Sequence, residues 1–149
     1  MVTSHDGVQV PMSLVYDKEI PITEKREVFM YVYGAYGESI SPFFFPFFLD
    51  WAAQGGILAF PHVRGGGEKG KQWHIQGMKN QKHNSWKDLI ACTEELINRE
   101  MTRKGLISVY TASAGWITAG MAVNERPALF SSFIAEVPRL NPFGLESSS

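Results

Sequence analysis

The sequence predicts an α/β fold, with a mainly parallel sheet flanked by helices. Apolar runs of strand length at 28–33, 57–63 and 106–111 are separated by segments of helical periodicity, and glycine or proline stands at the junctions. Strands that alternate with helices in this way form βαβ units, whose crossovers place helices on both faces of the sheet.

Taken in order, residues 8–16 alternate apolar and polar side chains and read as a strand, and 18–27, charged and containing Pro21, reads as the loop behind it. VFMYVY at 28–33 predicts a strand buried on both faces, ended by Gly34, Ala35, Tyr36 and Gly37. A short helix is expected over 44–54, stopped by Gly55 and Gly56, and a second buried strand over 57–63. Residues 64–84 are polar and lack periodicity, so a long loop is expected there. The clearest helix starts with Ser85 as N-cap and Asp88 three residues on, and carries Trp86, Leu89, Ile90, Leu96 and Ile97 at helical spacing. Gly105 precedes a strand over 106–111. Beyond a turn at Ser113, 117–124 reads as helix, Pro127 interrupts it, and 133–137 reads as a further strand.

Composition narrows the partners. Fourteen Lys and Arg balance fifteen Asp and Glu, and no basic block occurs, so neither nucleic acid nor an anionic membrane surface is expected. ISPFFFPFFL at 40–49 is about half the ~20 residues of a membrane span, contains Pro42 and Pro46, and reads as a buried segment or pocket wall. The single cysteine, Cys92, rules out an internal disulfide framework and, inside a helical pattern, reads as core. Met1 is followed by no basic region and apolar run, so no secretory signal is predicted and the compartment stays open.

Two motifs compete for the chemistry. In RGGGEKG, Gly65, Gly67 and Gly70 satisfy G-x-G-x-x-G, and Asp88 falls near where a ribose-binding acid would be sought. A dinucleotide site requires those glycines to open a helix, and 71–84 has no helical period, so a glycine-rich turn with positive φ angles is the expectation. In SVYTASAGWITAG, Ser113 and Gly115 match part of the nucleophile elbow G-x-S-x-G, with Thr111 where the first glycine belongs. An elbow lifts a serine hydroxyl beyond the sheet and aims the first helical amides at a developing oxyanion. Ser113 therefore has two readings, a structural small residue and a nucleophile, and the first is the commoner in such a sequence.

Seven stretches together resemble the catalytic domain of the prolyl oligopeptidase family of serine peptidases. They are SHDGVQVPMSLVY at 4–16, YVYGAYG at 31–37, HVRGGGEKGKQWH at 62–74, SWKDLIACTEELI at 85–97, and SAG followed by NERPALF and IAEVP. The resemblance implies an α/β-hydrolase fold that cleaves short peptides through an acyl-enzyme, with neither metal nor cofactor. It implies Ser113 as nucleophile, the Tyr33 hydroxyl and the Ala114 backbone N–H as oxyanion hole, and Tyr36 as an aromatic residue against the substrate's S1 side chain. Arg64 and Glu68 are expected in structural ion pairs or turns.

The sequence also departs from that family. Glycine is usual there at the positions of Val32, Thr111 and Trp116, and frequent at Ala112. Thr111 adds a branched side chain where backbone passes closely, and the Trp116 indole could pack against the sheet, crowd the elbow or cover its mouth. In α/β-hydrolases the order is Ser, then Asp or Glu, then His, yet neither Asp nor His follows Ser113, and His5, His62, His74 and His83 all precede it. The expectation is an incomplete α/β-hydrolase catalytic domain over 1–149, without the family's β-propeller and the C-terminal part. On that reading the chain alone is inactive or nearly so, and self-association through an open sheet edge follows. The alternative is a non-catalytic homologue or truncated product that keeps the fold. Preference for proline or for a basic residue is not encoded in these positions.

Overall fold

A computed structural model describes residues 1–23, 25–42 and 46–137. Its main sheet has, among the described residues, five strands in the order β3-β5-β4-β6-β7: β3 Met12–Val15, β4 Val28–Tyr31, β5 Ile57–Pro61, β6 Ile107–Ala112 and β7 Ser132–Glu136. β3 runs antiparallel to β5, and all other neighbours are parallel. Two short strands, β1 Val2–Thr3 and β2 Gln9–Val10, form a separate antiparallel pair.

Side-chain alternation along β4 divides the core between two faces. Val28 and Met30 point to the face where α3 (His83–Asn98) and α4 (Trp116–Glu125) pack, through Leu89, Ile90, Leu96, Ala119 and Ala122. Phe29 and Tyr31 point to the other face, toward Phe48 and Trp51 of α1 (Pro46–Ala53) and Phe60 of β5. Leu89, Leu96 and Ile107 are fully buried, and burying each such side chain stabilises the fold by roughly 1.5–3 kcal/mol.

The α/β expectation holds, and several local expectations are corrected. The strand expected over 8–16 breaks at Pro11, which has no N–H for a ladder and instead gives its carbonyl to the His62 amide at 2.9 Å. β4 is buried on one face only, because Phe29 and Tyr31 are half-covered by the short α1. The 40–49 stretch is not wholly buried either: α1 turns Phe48 to the sheet and leaves Phe47 and Leu49 exposed, while residues 44 and 45 of the expected helix lie outside the described residues. No helix among the described residues is long and apolar enough to cross a membrane.

The polar stretch 64–84 also contains a helix, α2 (Lys71–Ile75), anchored by buried Trp73, whose indole N–H donates to the His62 carbonyl at 3.1 Å. That contact spans eleven positions and leaves no periodic trace. Ser85 is not an N-cap: α3 begins at His83, and the Ser85 hydroxyl reaches the carbonyls of Arg64 at 2.5 Å and Gly77 at 3.2 Å.

Candidate active site

The chain changes direction at Ser113. Ala112 ends β6 in extended backbone, with φ −125° and ψ 156°; Ser113 takes φ +46°, and Gly115 and Trp116 are already right-handed helical. A left-handed serine costs on the order of 1–3 kcal/mol and persists only where the surroundings impose it. Strand, left-handed serine and helix together make an elbow that leaves Ser113 half-exposed.

The surroundings that impose it are visible at Gly115. A β-carbon there would collide with the Thr111 hydroxyl and press within 3.0 Å of the Tyr33 ring. Thr111 is fully buried and donates to the Val32 carbonyl of the neighbouring strand at 2.7 Å, so its branch is accommodated rather than disruptive. Trp116 is half-buried on α4, one turn before Gly120. A β-carbon on Gly120 would meet Phe133 of β7 at 3.7 Å and the Trp116 ring at 3.8 Å, and Trp116 is not among the residues lining the cleft described next.

Beside Ala114 opens a cleft of about 410 Å³, bounded by Ala35, Tyr36, His74, Met78, Lys82 and Ile117 among others. Tyr36 stands on its rim, mostly exposed and at φ +53°. The fold therefore gathers Ser113, Ala114 and Tyr33 at the elbow and sets Tyr36 on the adjoining cleft. Among the described residues no histidine hydrogen-bonds the Ser113 hydroxyl. His62 Nε2 pairs with the Ser13 hydroxyl at 2.8 Å, and His74 Nδ1 lies 2.9 Å from the Gly65 carbonyl.

The glycine loop supports the segment that follows Tyr33. The Gly37 amide donates to the Gly65 carbonyl at 3.0 Å and the Gly67 amide to the Glu38 carbonyl at 3.2 Å. A β-carbon on Gly65 or Gly67 would run into the carbonyl of Gly34 or Gly37. The amides of Gly65, Gly66 and Gly70 are likewise taken, by Trp73, Val63 and Gly67. Although α2 opens right after Gly70, all four loop glycines spend their amides on the fold itself and none is left over for a phosphate, which counts against the dinucleotide reading. Positive φ is found at Gly65 and Gly70, as expected of a turn.

Arg64 and Glu68 hold this loop in place. The Arg64 guanidinium grips Asp88 at 2.6 and 2.9 Å and Asp6 at 2.5 and 3.1 Å, and its own amide donates to Asp88 at 3.0 Å. Those hydrogen bonds hold the Asp6 carboxyl below its usual range. Glu68 accepts the Ile40 amide at 3.0 Å and faces His62 Nδ1 at 3.5 Å. Cys92 is buried in α3, and burial drives its thiol pKa upward, out of any reactive range.

Lys82 is the site residue that sequence reading missed. Its ammonium donates to the Gly34 carbonyl and to the Ser85 hydroxyl at 3.3 Å, and burial lowers its pKa to about 8. In the sequence it is one more cation in a polar stretch, with nothing to set it apart.

A mainly parallel sheet in which one strand turns through a left-handed serine into a helix defines an α/β-hydrolase. Residues 44–148 match the model of the prolyl oligopeptidase family, and the chain belongs to that family. It is similar to the prolyl endopeptidase of Elizabethkingia meningoseptica, with 38% identity over 85% of this chain and 18% of that protein. Among solved structures it is similar to oligopeptidase B from Trypanosoma brucei with covalently bound antipain, at 41% identity and TM-score 0.84, covering 90% of this chain and 19% of that one. A further likeness is to prolyl oligopeptidase B from Galerina marginata bound to a 25mer macrocyclization substrate, at 32% identity and TM-score 0.77, covering 80% and 17%. The chain thus spans under a fifth of the length of each of these relatives.

Proposed function

We propose that this chain provides the nucleophile and oxyanion half of a serine peptidase acting on short peptides. The observation that carries the reading is Ser113 at φ +46°, on an elbow where a β-carbon at Gly115 would touch Tyr33. The Ser113 Oγ attacks the scissile carbonyl carbon while a general base accepts its proton, and the carbonyl oxygen becomes an oxyanion held by the Ala114 N–H and the Tyr33 hydroxyl. Collapse of that intermediate breaks the C–N bond, the amine leaves with a proton, and an acyl-Ser113 ester remains for water to hydrolyse. Tyr36 contacts the substrate side chain next to the scissile bond. The relatives described with bound antipain and with a 25mer substrate support a peptide as ligand.

The base and its acid are supplied from outside these residues, and the chain by itself is inactive or nearly so. A nucleophile without its base keeps a residual advantage of about 10³–10⁴ over water when the oxyanion hole is intact. The test is labelling by a fluorophosphonate probe, with a Ser113→Ala control and mass spectrometry of the modified peptide. Adduct at Ser113 that disappears in the control supports the reading. A folded chain that excludes the probe from Ser113, even when mixed with the remaining part of a family catalytic domain, argues for a non-catalytic homologue.

A further inference from the structure

We propose that Lys82 is a positioning residue for Tyr33: by gripping the Gly34 carbonyl it fixes how the end of β4 presents the tyrosine hydroxyl beside Ser113. The proposal rests on the reading of Tyr33 as an oxyanion-hole group.

Just before the tyrosine, the Val32 amide donates to the Tyr110 carbonyl at 3.1 Å. Gly34 then turns away at φ +67°, and a β-carbon on it would meet Val63 at 2.5 Å and the Thr118 hydroxyl at 3.3 Å. Its carbonyl faces Gly65 so closely that no side chain fits between, in a part of the fold where Gly34 is buried. A carbonyl in such a place must have a donor, since leaving it unpaired costs about 1–3 kcal/mol. Lys82 is that donor. Its second bond, to Ser85, joins it to the Arg64 carbonyl, so the clamp ties the end of β4 to the glycine loop and to α3.

The clamp carries a charge that can be switched off. The titratable groups that share the cleft with Lys82 are Tyr36, His74 and Lys79, and no carboxylate lines it. Desolvation therefore acts on the ammonium without a compensating anion, and its pKa falls from 10.5 to about 8. Above that pH the neutral amine makes a weaker bond than the ammonium did, and the Tyr33 end of the loop loosens. Global stability moves the other way. Between about 8 and 10.5 the unfolded chain binds more protons at this site than the folded one, so stability from Lys82 rises with pH. A residue with only a structural role would move both readouts together.

The experiment is NMR of the full chain with ¹³C in the glycine carbonyls and tyrosine rings, titrated from pH 6.5 to 9.5, together with Lys82→Arg and Lys82→Met. The Gly34 carbonyl and Tyr33 ring signals should shift together with a midpoint near pH 8 in the unmodified chain. Lys82→Arg should keep the low-pH positions of both signals and lose the titration; Lys82→Met, where it folds, should displace both at every pH. A flat Gly34 carbonyl, a titration that survives in Lys82→Arg, or a Tyr33 ring that ignores the Gly34 shift would each overturn the proposal. Failure of the peptidase reading registers elsewhere, as absence of probe on Ser113, and leaves this coupling unaffected.

Discussion

The Thr111 hydroxyl occupies the space that a β-carbon on Gly115 would need, two positions either side of Ser113. The elbow is thus built by a pair: Gly115 lets β6 and α4 cross closely, and Thr111 fills the crossing while bonding Val32.

Gly115→Ala should destabilise the chain by roughly 1–3 kcal/mol, as overpacking does. It should also slow probe labelling of Ser113, because the Tyr33 ring is pushed as well. Adding Thr111→Ala removes the obstructing hydroxyl and should recover part of the loss. Urea denaturation of the two single variants and the double gives the coupling between them, and simple additivity would show that the two positions act independently.

Arg64 and Asp88 form an almost fully buried ion pair. Replacing one partner alone leaves an uncompensated buried charge, so Arg64→Met or Asp88→Ala should cost about 3–5 kcal/mol in a urea titration. A loss under 1 kcal/mol would mean that water reaches the pair once it is broken.

Asp6 gives the network an acid dependence. Its folded pKa lies below the unfolded value, so its contribution is present above the unfolded value and fades as pH falls through the folded one. Asp6→Asn should be less stable than the parent at pH 7, and the gap should close toward pH 2. Thermal melts across that range test this, and a gap independent of pH would count against it.

Cys92 should resist a thiol reagent in the native chain and react only as urea unfolds it, since it is buried and its thiolate is disfavoured. Modification at the native rate of an exposed thiol would show that α3 opens locally.

Among the described residues β7 is an edge strand with Phe133 and Ile134 both substantially exposed, and such edges template association. Size-exclusion with light scattering should show concentration-dependent self-association that Ile134→Lys reduces. A monomer at every concentration would remove this expectation.

The parts of the fold that could be read in advance are those encoded by local pattern. The run at 57–61, the apolar spacing of Leu89, Ile90 and Leu96, and the glycine after Ser113 each announce an element through its own residues. The break in the first strand was missed, because the alternation over 8–16 outweighed Pro11 in the reading. What could not be read depends on groups distant in the chain: Trp73 reaching the His62 carbonyl to hold α2, and Ser85 turning from a capping position to the Arg64 carbonyl.

The same division runs through the site. Sequence by itself determined an α/β fold and Ser113 as the residue to watch, because a strand, a turn of small residues and a helix are consecutive in the chain, and its motifs carried the resemblance that implies the α/β-hydrolase class and the family. Only the tertiary structure decided that Thr111 fits and that Lys82 closes on Gly34, forty-eight positions away. Steric room and the desolvation of a charge belong to the space between elements, and no single segment carries them.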